Sequence, residues 1–91
     1  MINFANNITL VIVSHKSKKK LTNLIKDISN NIKIIIVENS LDKSIEIELS
    51  KLGKKIEIIF SENNGYGSAI NLARTHVATK YFFVLNPDMR K

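Results

Sequence analysis

Two glycines flank a tyrosine in Asn63-Asn64-Gly65-Tyr66-Gly67, just where a helically periodic segment begins. Residues without a β-carbon let another molecule approach the backbone, and the unpaired N–H groups at a helix N-terminus suit a phosphate. Asn64-Gly65 also reads as a hairpin turn, but the residues after it have helical rather than strand periodicity, which argues against one. Further on, Asn86-Pro87-Asp88 offers a hard oxygen ligand, Asp88, in a segment that Pro87 stiffens. That chemistry suits Mg²⁺ or Mn²⁺ held against a diphosphate, with most other ligands coming from phosphate and water; the alternative is a plain turn. Glu38, in Glu38-Asn39-Ser40, can accept hydrogen bonds from a ribose hydroxyl or a base N–H, or can be a solvated acid capping a helix. Of the two histidines, His15 follows an apolar run and borders the same region, whereas His76 is expected on a helix surface. Neither has a Ser, Cys or Asp partner set for nucleophilic catalysis, so no catalytic residue is named.

These residues need a frame. Ile8-Thr9-Leu10-Val11-Ile12-Val13 and Ile34-Ile35-Ile36-Val37 are runs dominated by β-branched residues, the pattern of strands buried on both faces. Residues 56–60 and 81–85 predict two further strands. Between the strands, apolar residues recur at helical spacing: Leu21, Leu24, Ile25 and Ile28, then Ile45, Leu49 and Leu52, then Tyr66, Ile70, Ala73 and Val77. Ser17, Ser40 and Asp42 are candidate N-caps, and Gly53 a C-terminal stop. On the third helix, Gly67, Asn71 and Arg74 fall on a different face from the core stripe.

Strand and helix alternating with short connections predict α/β, a three-layer, mainly parallel four-stranded sheet with helices on both faces. In such sheets ligands bind beyond the carboxyl ends of the strands. Ser14-His15-Lys16, Glu38-Asn39-Ser40, residues 63–67 and Asn86-Pro87-Asp88 are thereby expected to face one crevice.

Composition narrows the function classes. The chain has 91 residues, 44% of them hydrophobic and 24% charged, as in one ordinary globular domain. Without cysteine there are no disulfides, thiolate metal sites or cysteine nucleophiles. The net charge of +6 can mark a nucleic-acid binder or a protein sitting on anionic membrane, but with lysines spread along the chain a solvated surface is the expected explanation. Apart from Arg74 and Arg90 every basic residue is Lys, whereas base recognition favours forked Arg side chains, so no nucleic-acid partner is expected. The first apolar run is too short to span a bilayer and no signal-like segment precedes it, which leaves the cytoplasm as the expected compartment.

With these clusters in place, the chain resembles the N-terminal part of family-two glycosyltransferases of the GT-A fold, rhamnosyltransferase-like members especially. The resemblance rests on Val11-Ile12-Val13-Ser14-His15, Ile36-Val37-Glu38-Asn39-Ser40, Asn63-Asn64-Gly65-Tyr66-Gly67-Ser68-Ala69-Ile70-Asn71 and Val84-Leu85-Asn86-Pro87-Asp88, the last two being the specific ones. It implies a nucleotide-diphosphate sugar as donor and a glycan or lipid-linked molecule as acceptor, with association at the inner face of the membrane. Ser14, His15, Glu38 and Asn39 are then expected to border the nucleoside. Asn64, Gly65, Gly67, Asn71 and Asn86 are expected to shape the donor pocket, and Asp88 to bind Mg²⁺ or Mn²⁺ at the diphosphate. Asn86 stands where the family's motif has its first aspartate, leaving Asp88 as the motif's one carboxylate, a variant that favours a deoxythymidine-diphosphate-rhamnose donor. The family's acceptor site and catalytic base lie downstream of this motif. Residues 1–91 are therefore expected to be a single donor-binding subdomain, truncated and inactive alone; a stand-alone nucleotide-binding or protein-interaction module is the alternative.

Overall fold

A computed structural model describes residues 7–40, 43–61 and 66–85, with Tyr66 described in its backbone only. The elements alternate as the periodicities predict: β1 (Ile8–Ser14), α1 (Lys18–Lys26), β2 (Lys33–Glu38), α2 (Ser44–Ser50), β3 (Ile56–Phe60), α3 (Tyr66–Arg74) and β4 (Tyr81–Leu85). The four strands form one sheet in the order β3-β2-β1-β4, and every neighbouring pair is parallel.

The two-residue period of the strands sends alternate side chains into two separate cores. Ile12, Ile34 and Ile36 meet Leu21 and Ile25 of α1 and Ile45 and Leu49 of α2 on one face. Val11, Val13, Ile35 and Val37 meet Ala69 and Ala73 of α3 on the other. The strand order accounts for this split. Two successive crossovers move the chain outward from β1 to β3 over one face, and the return from β3 to β4 covers the opposite face. The outcome is the three-layer α/β arrangement expected from the sequence.

Three local expectations are corrected. Ser17 stands at the N-cap of α1 but makes no side-chain cap bond; its hydroxyl instead donates to the His15 carbonyl at 3.0 Å. Ser40 does not cap α2, whose N-cap is Lys43, and Asp42 lies outside the described residues. Glu38 is the last residue of β2 and not a solvated helix cap, for it is buried together with Asn39 and Ser40. Gly53 does occupy the left-handed region expected of a helix stop, at φ 65°.

On α3, Ala73 is buried and Ile70 and Val77 are partly buried, as their spacing predicts, and Ala69 joins them. Gly67, Asn71 and Arg74 are exposed on the outer side. His76 lies on the surface just past this helix, its Nδ1 2.6 Å from Glu57 Oε2 of β3. No helix among the described residues is long and apolar enough to cross a membrane.

Candidate functional site

Parallel strands joined by helices place every strand's carboxyl end on one edge of the sheet. There β1 and β2 are in register, Ser14 opposite Glu38. The Asn39 N–H donates to the Ser14 carbonyl at 2.7 Å, and the Ser61 N–H donates to the Glu38 carbonyl at 3.0 Å. The ladder therefore continues to the strand tips and holds the polar residues rigidly against an apolar core.

Glu38 is the centre of this cluster, with only 1% of its surface exposed. Its Oε2 accepts the Lys16 backbone N–H at 2.9 Å and the Ser40 hydroxyl at 2.5 Å. Lys16 presents that N–H from the left-handed region, at φ 51°, a conformation that costs a side-chain-bearing residue on the order of 1 kcal/mol. The strained turn after β1 and the end of β2 are thus fastened to one carboxyl oxygen.

The other oxygen is different. Glu38 Oε1, Ser14 Oγ and Asn39 Oδ1 are all buried and have no hydrogen-bond partner. Each such atom costs about 1–3 kcal/mol, and folded proteins leave few of them. Two are acceptors and the third is a hydroxyl that can donate or accept, so the group suits a ligand edge rich in N–H and O–H donors. His15 stands exposed beside them, its Nδ1–H donating to the Asn39 carbonyl at 3.2 Å, which leaves Nε2 as the second polar atom of the ring.

The structure brings together Ser14, His15, Glu38 and Asn39 among the residues singled out from sequence. Gly67 lies in the first turn of α3, and α3 packs across β1 and β2. A β-carbon placed on Gly67 meets nothing within 4 Å, so packing does not require glycine there. Asn71 is exposed one turn further along the outer side. Asn64, Gly65, Asn86 and Asp88 lie outside the described residues. Among the described residues no three His, Asp or Glu side chains gather where they could hold a metal ion.

Sequence reading passed over the two groups that hold Glu38. The Lys16 N–H is a backbone group, legible only as a turn, and Ser40 reads from sequence as a helix cap because short hydroxyl residues before a helix usually serve there.

Comparison with known proteins bears on this geometry. A family model described as glycosyl transferase family 2 matches residues 9–90, which takes in β1 through β4 and the Asn86-Pro87-Asp88 segment. No curated protein and no solved structure gives a match. The family match spans nearly the whole chain and agrees with the parallel α/β sheet and its polar strand ends; the chain belongs to glycosyl transferase family 2.

Proposed function

We propose that this chain forms the donor-binding part of a glycosyltransferase, receiving the nucleoside of a nucleotide-diphosphate sugar at the carboxyl ends of β1 and β2. Family membership implies a sugar donor and an acceptor in general. The observation that carries the finer reading is the trio of buried, unpartnered polar atoms on Ser14, Glu38 and Asn39. A nucleobase N–H or ribose hydroxyl placed there gives Glu38 Oε1 and Asn39 Oδ1 their missing donors, and Ser14 Oγ can bond in either sense. Glu38 Oε2 stays occupied by Lys16 and Ser40, so the carboxyl is held in place before the ligand arrives. Such preorganisation favours affinity, because little side-chain freedom remains to be lost.

In this reading Gly65 and Gly67 let the donor approach the start of α3, with Asn64, Asn71 and Asn86 shaping its surroundings. Asp88 is the residue assigned to Mg²⁺ or Mn²⁺, which when bound offsets charge on the departing nucleotide diphosphate. The Asn86-Pro87-Asp88 variant supports rhamnose as the sugar, on a thymidine nucleotide, and a glycan or lipid-linked acceptor.

Calorimetric titration of the folded chain with thymidine, uridine and guanosine diphosphates, with and without Mn²⁺, tests the assignment. Saturable binding that strengthens with Mn²⁺ and ranks the thymidine nucleotide first is the expected result. A folded sample that binds none of the three overturns the donor site; equal binding of all three overturns only the rhamnose assignment.

A further inference from the structure

We infer that the outer face of the α1/α2 layer is a docking surface for an anionic lipid bilayer. The inference goes beyond donor binding and rests on a different part of the molecule.

The positive charge is unevenly placed. Leu21 and Ile25 turn α1 toward the core, which puts Lys19 and Lys26 on its solvent side and Lys18 on the flank toward α2. Lys18 reaches across to α2, its Nζ donating to Ser44 Oγ at 3.2 Å. On α2 and its ends, burial of Ile45 and Leu49 leaves Lys43, Ile47 and Lys51 sharing the outward side at four-residue spacing. The groove between the two helices is lined by Lys18, Lys19, Thr22, Asn23, Lys26 and Glu48. Among the described residues, five lysines therefore stand on this face against Glu48, which lies 3.7 Å from Lys51, and Asp27, exposed at the C-terminal end of α1. The remaining acid of α2, Glu46, lines a separate groove toward β3 together with Lys54. The opposite layer is nearly neutral, since the outer side of α3 carries Gly67, Ser68, Asn71 and one base, Arg74.

Two features connect this charge to a bilayer. The first turn of α1 holds Lys18, Lys19 and Lys20 with no acidic residue, so its charges oppose the helix dipole. An anionic surface facing that turn reverses the sign of the interaction. Ile47, 64% exposed, projects from the middle of the lysines. An aliphatic side chain gains nothing against bare phosphates but can enter the acyl boundary beneath lipid headgroups, while lysines around it pair with the phosphates above. The lysines are not the bidentate readers of nucleic-acid bases. Because the N-termini of α1 and α2 lie at the same edge as the carboxyl ends of the strands, a protein resting on this layer holds the candidate site beside the membrane.

Vesicle co-sedimentation tests the assignment without any nucleotide sugar, so its failure is separate from failure of the donor site. The full chain is mixed with phosphatidylcholine vesicles with or without phosphatidylglycerol, at low and high salt. Binding is expected only to the anionic vesicles and is expected to fall with salt. Two variants of equal net charge are compared, each checked for folding by circular dichroism. K18Q/K19Q is expected to lower the partition coefficient roughly 25-fold, at about five-fold per lysine. K33Q/R74Q, on the α3 side of the sheet, is expected to lower it less than about three-fold. Ile47→Ser is expected to lower it roughly five-fold, a loss that persists at high salt. Equal binding to neutral vesicles, no binding to anionic ones, or equal losses in the two double variants overturns the proposal. So does tighter binding to single-stranded RNA that depends on the same lysines, which would assign the face to nucleic acid.

Discussion

Glu38 offers a way to separate a ligand site from a structural brace, because its two oxygens have different environments. Glu38→Gln is nearly isosteric. The amide oxygen can take the place of Oε2 and accept the Lys16 N–H and the Ser40 hydroxyl, bonds that measure 2.9 and 2.5 Å in the structure. The amide nitrogen then stands where Oε1 has no partner. If the carboxyl only braces the turn at Lys16, the variant keeps both contacts and should behave like the parent. If Oε1 receives a donor from the nucleoside, the variant sets an N–H against another N–H or O–H. Loss of that bond with a buried donor left unpaired costs about 1–3 kcal/mol, or roughly 5- to 150-fold in Kd. Urea unfolding followed by circular dichroism should show a change under about 1 kcal/mol for the free variant, since one unsatisfied buried group replaces another. Calorimetric titration should show the loss in nucleoside diphosphate affinity. Parent-like affinity in a folded variant refutes the reasoning. Glu38→Ala is the control, because it strands both the Lys16 N–H and the Ser40 hydroxyl and should destabilise the fold by about 2–5 kcal/mol.

Three further substitutions probe the backbone around the site and the helix ends. Gly67→Ala, at a helical position with open space around the added carbon, should raise stability by about 0.5–1 kcal/mol in urea unfolding while weakening donor affinity; unchanged affinity would remove Gly67 from the pocket. Gly53→Ala, at φ 65°, should lower stability by about 1–2 kcal/mol despite equally open surroundings, because the strain lies in the backbone. Lys16→Gly, at φ 51°, should leave stability unchanged or raise it by up to about 1 kcal/mol, since relief of strain is set against the greater freedom of the unfolded chain. Its amide should remain protected from hydrogen exchange by the bond to Glu38.

The fold was legible because its cores are written in two simple periods. Three consecutive isoleucines and a valine in β2 admit only a strand covered on both faces, and residues 34–37 are fully buried. The leucine and isoleucine stripes of α1 and α2 likewise name their own buried faces. β4 reads the same way, as Tyr81-Phe82-Phe83-Val84-Leu85, yet Tyr81 and Phe83 are about half exposed. Local pattern does not say which strand ends at the sheet's edge. Among the described residues β4 pairs only with β1, and on the α1 side Leu85 packs against the core whereas Tyr81 and Phe83 stand outside it. The site was legible by position but not by its bonding. Strand ends flagged Ser14 and Glu38, whereas the bond from Lys16 to Glu38 joins residues 22 apart and requires a left-handed residue that is not glycine.

That last contact also bears on why the cluster reads as a binding site. A protein selected only for stability gains nothing from a lysine in the left-handed region, and a glycine in the same turn would remove the strain. Nor does it gain from burying a carboxyl, an amide oxygen and a hydroxyl with atoms left unpaired on adjacent strands, where apolar residues of similar size would pack without that cost. The two costs occur at one place, the carboxyl ends of β1 and β2, where parallel sheets bind their ligands. The surrounding core contains fully buried, well-matched aliphatic side chains on both faces, so the unfavourable groups are not the mark of a poorly packed fold. Among the described residues, strain at Lys16 and unsatisfied polarity at Ser14, Glu38 and Asn39 coincide at one edge of an otherwise regular sheet, and that coincidence supports the proposed donor site.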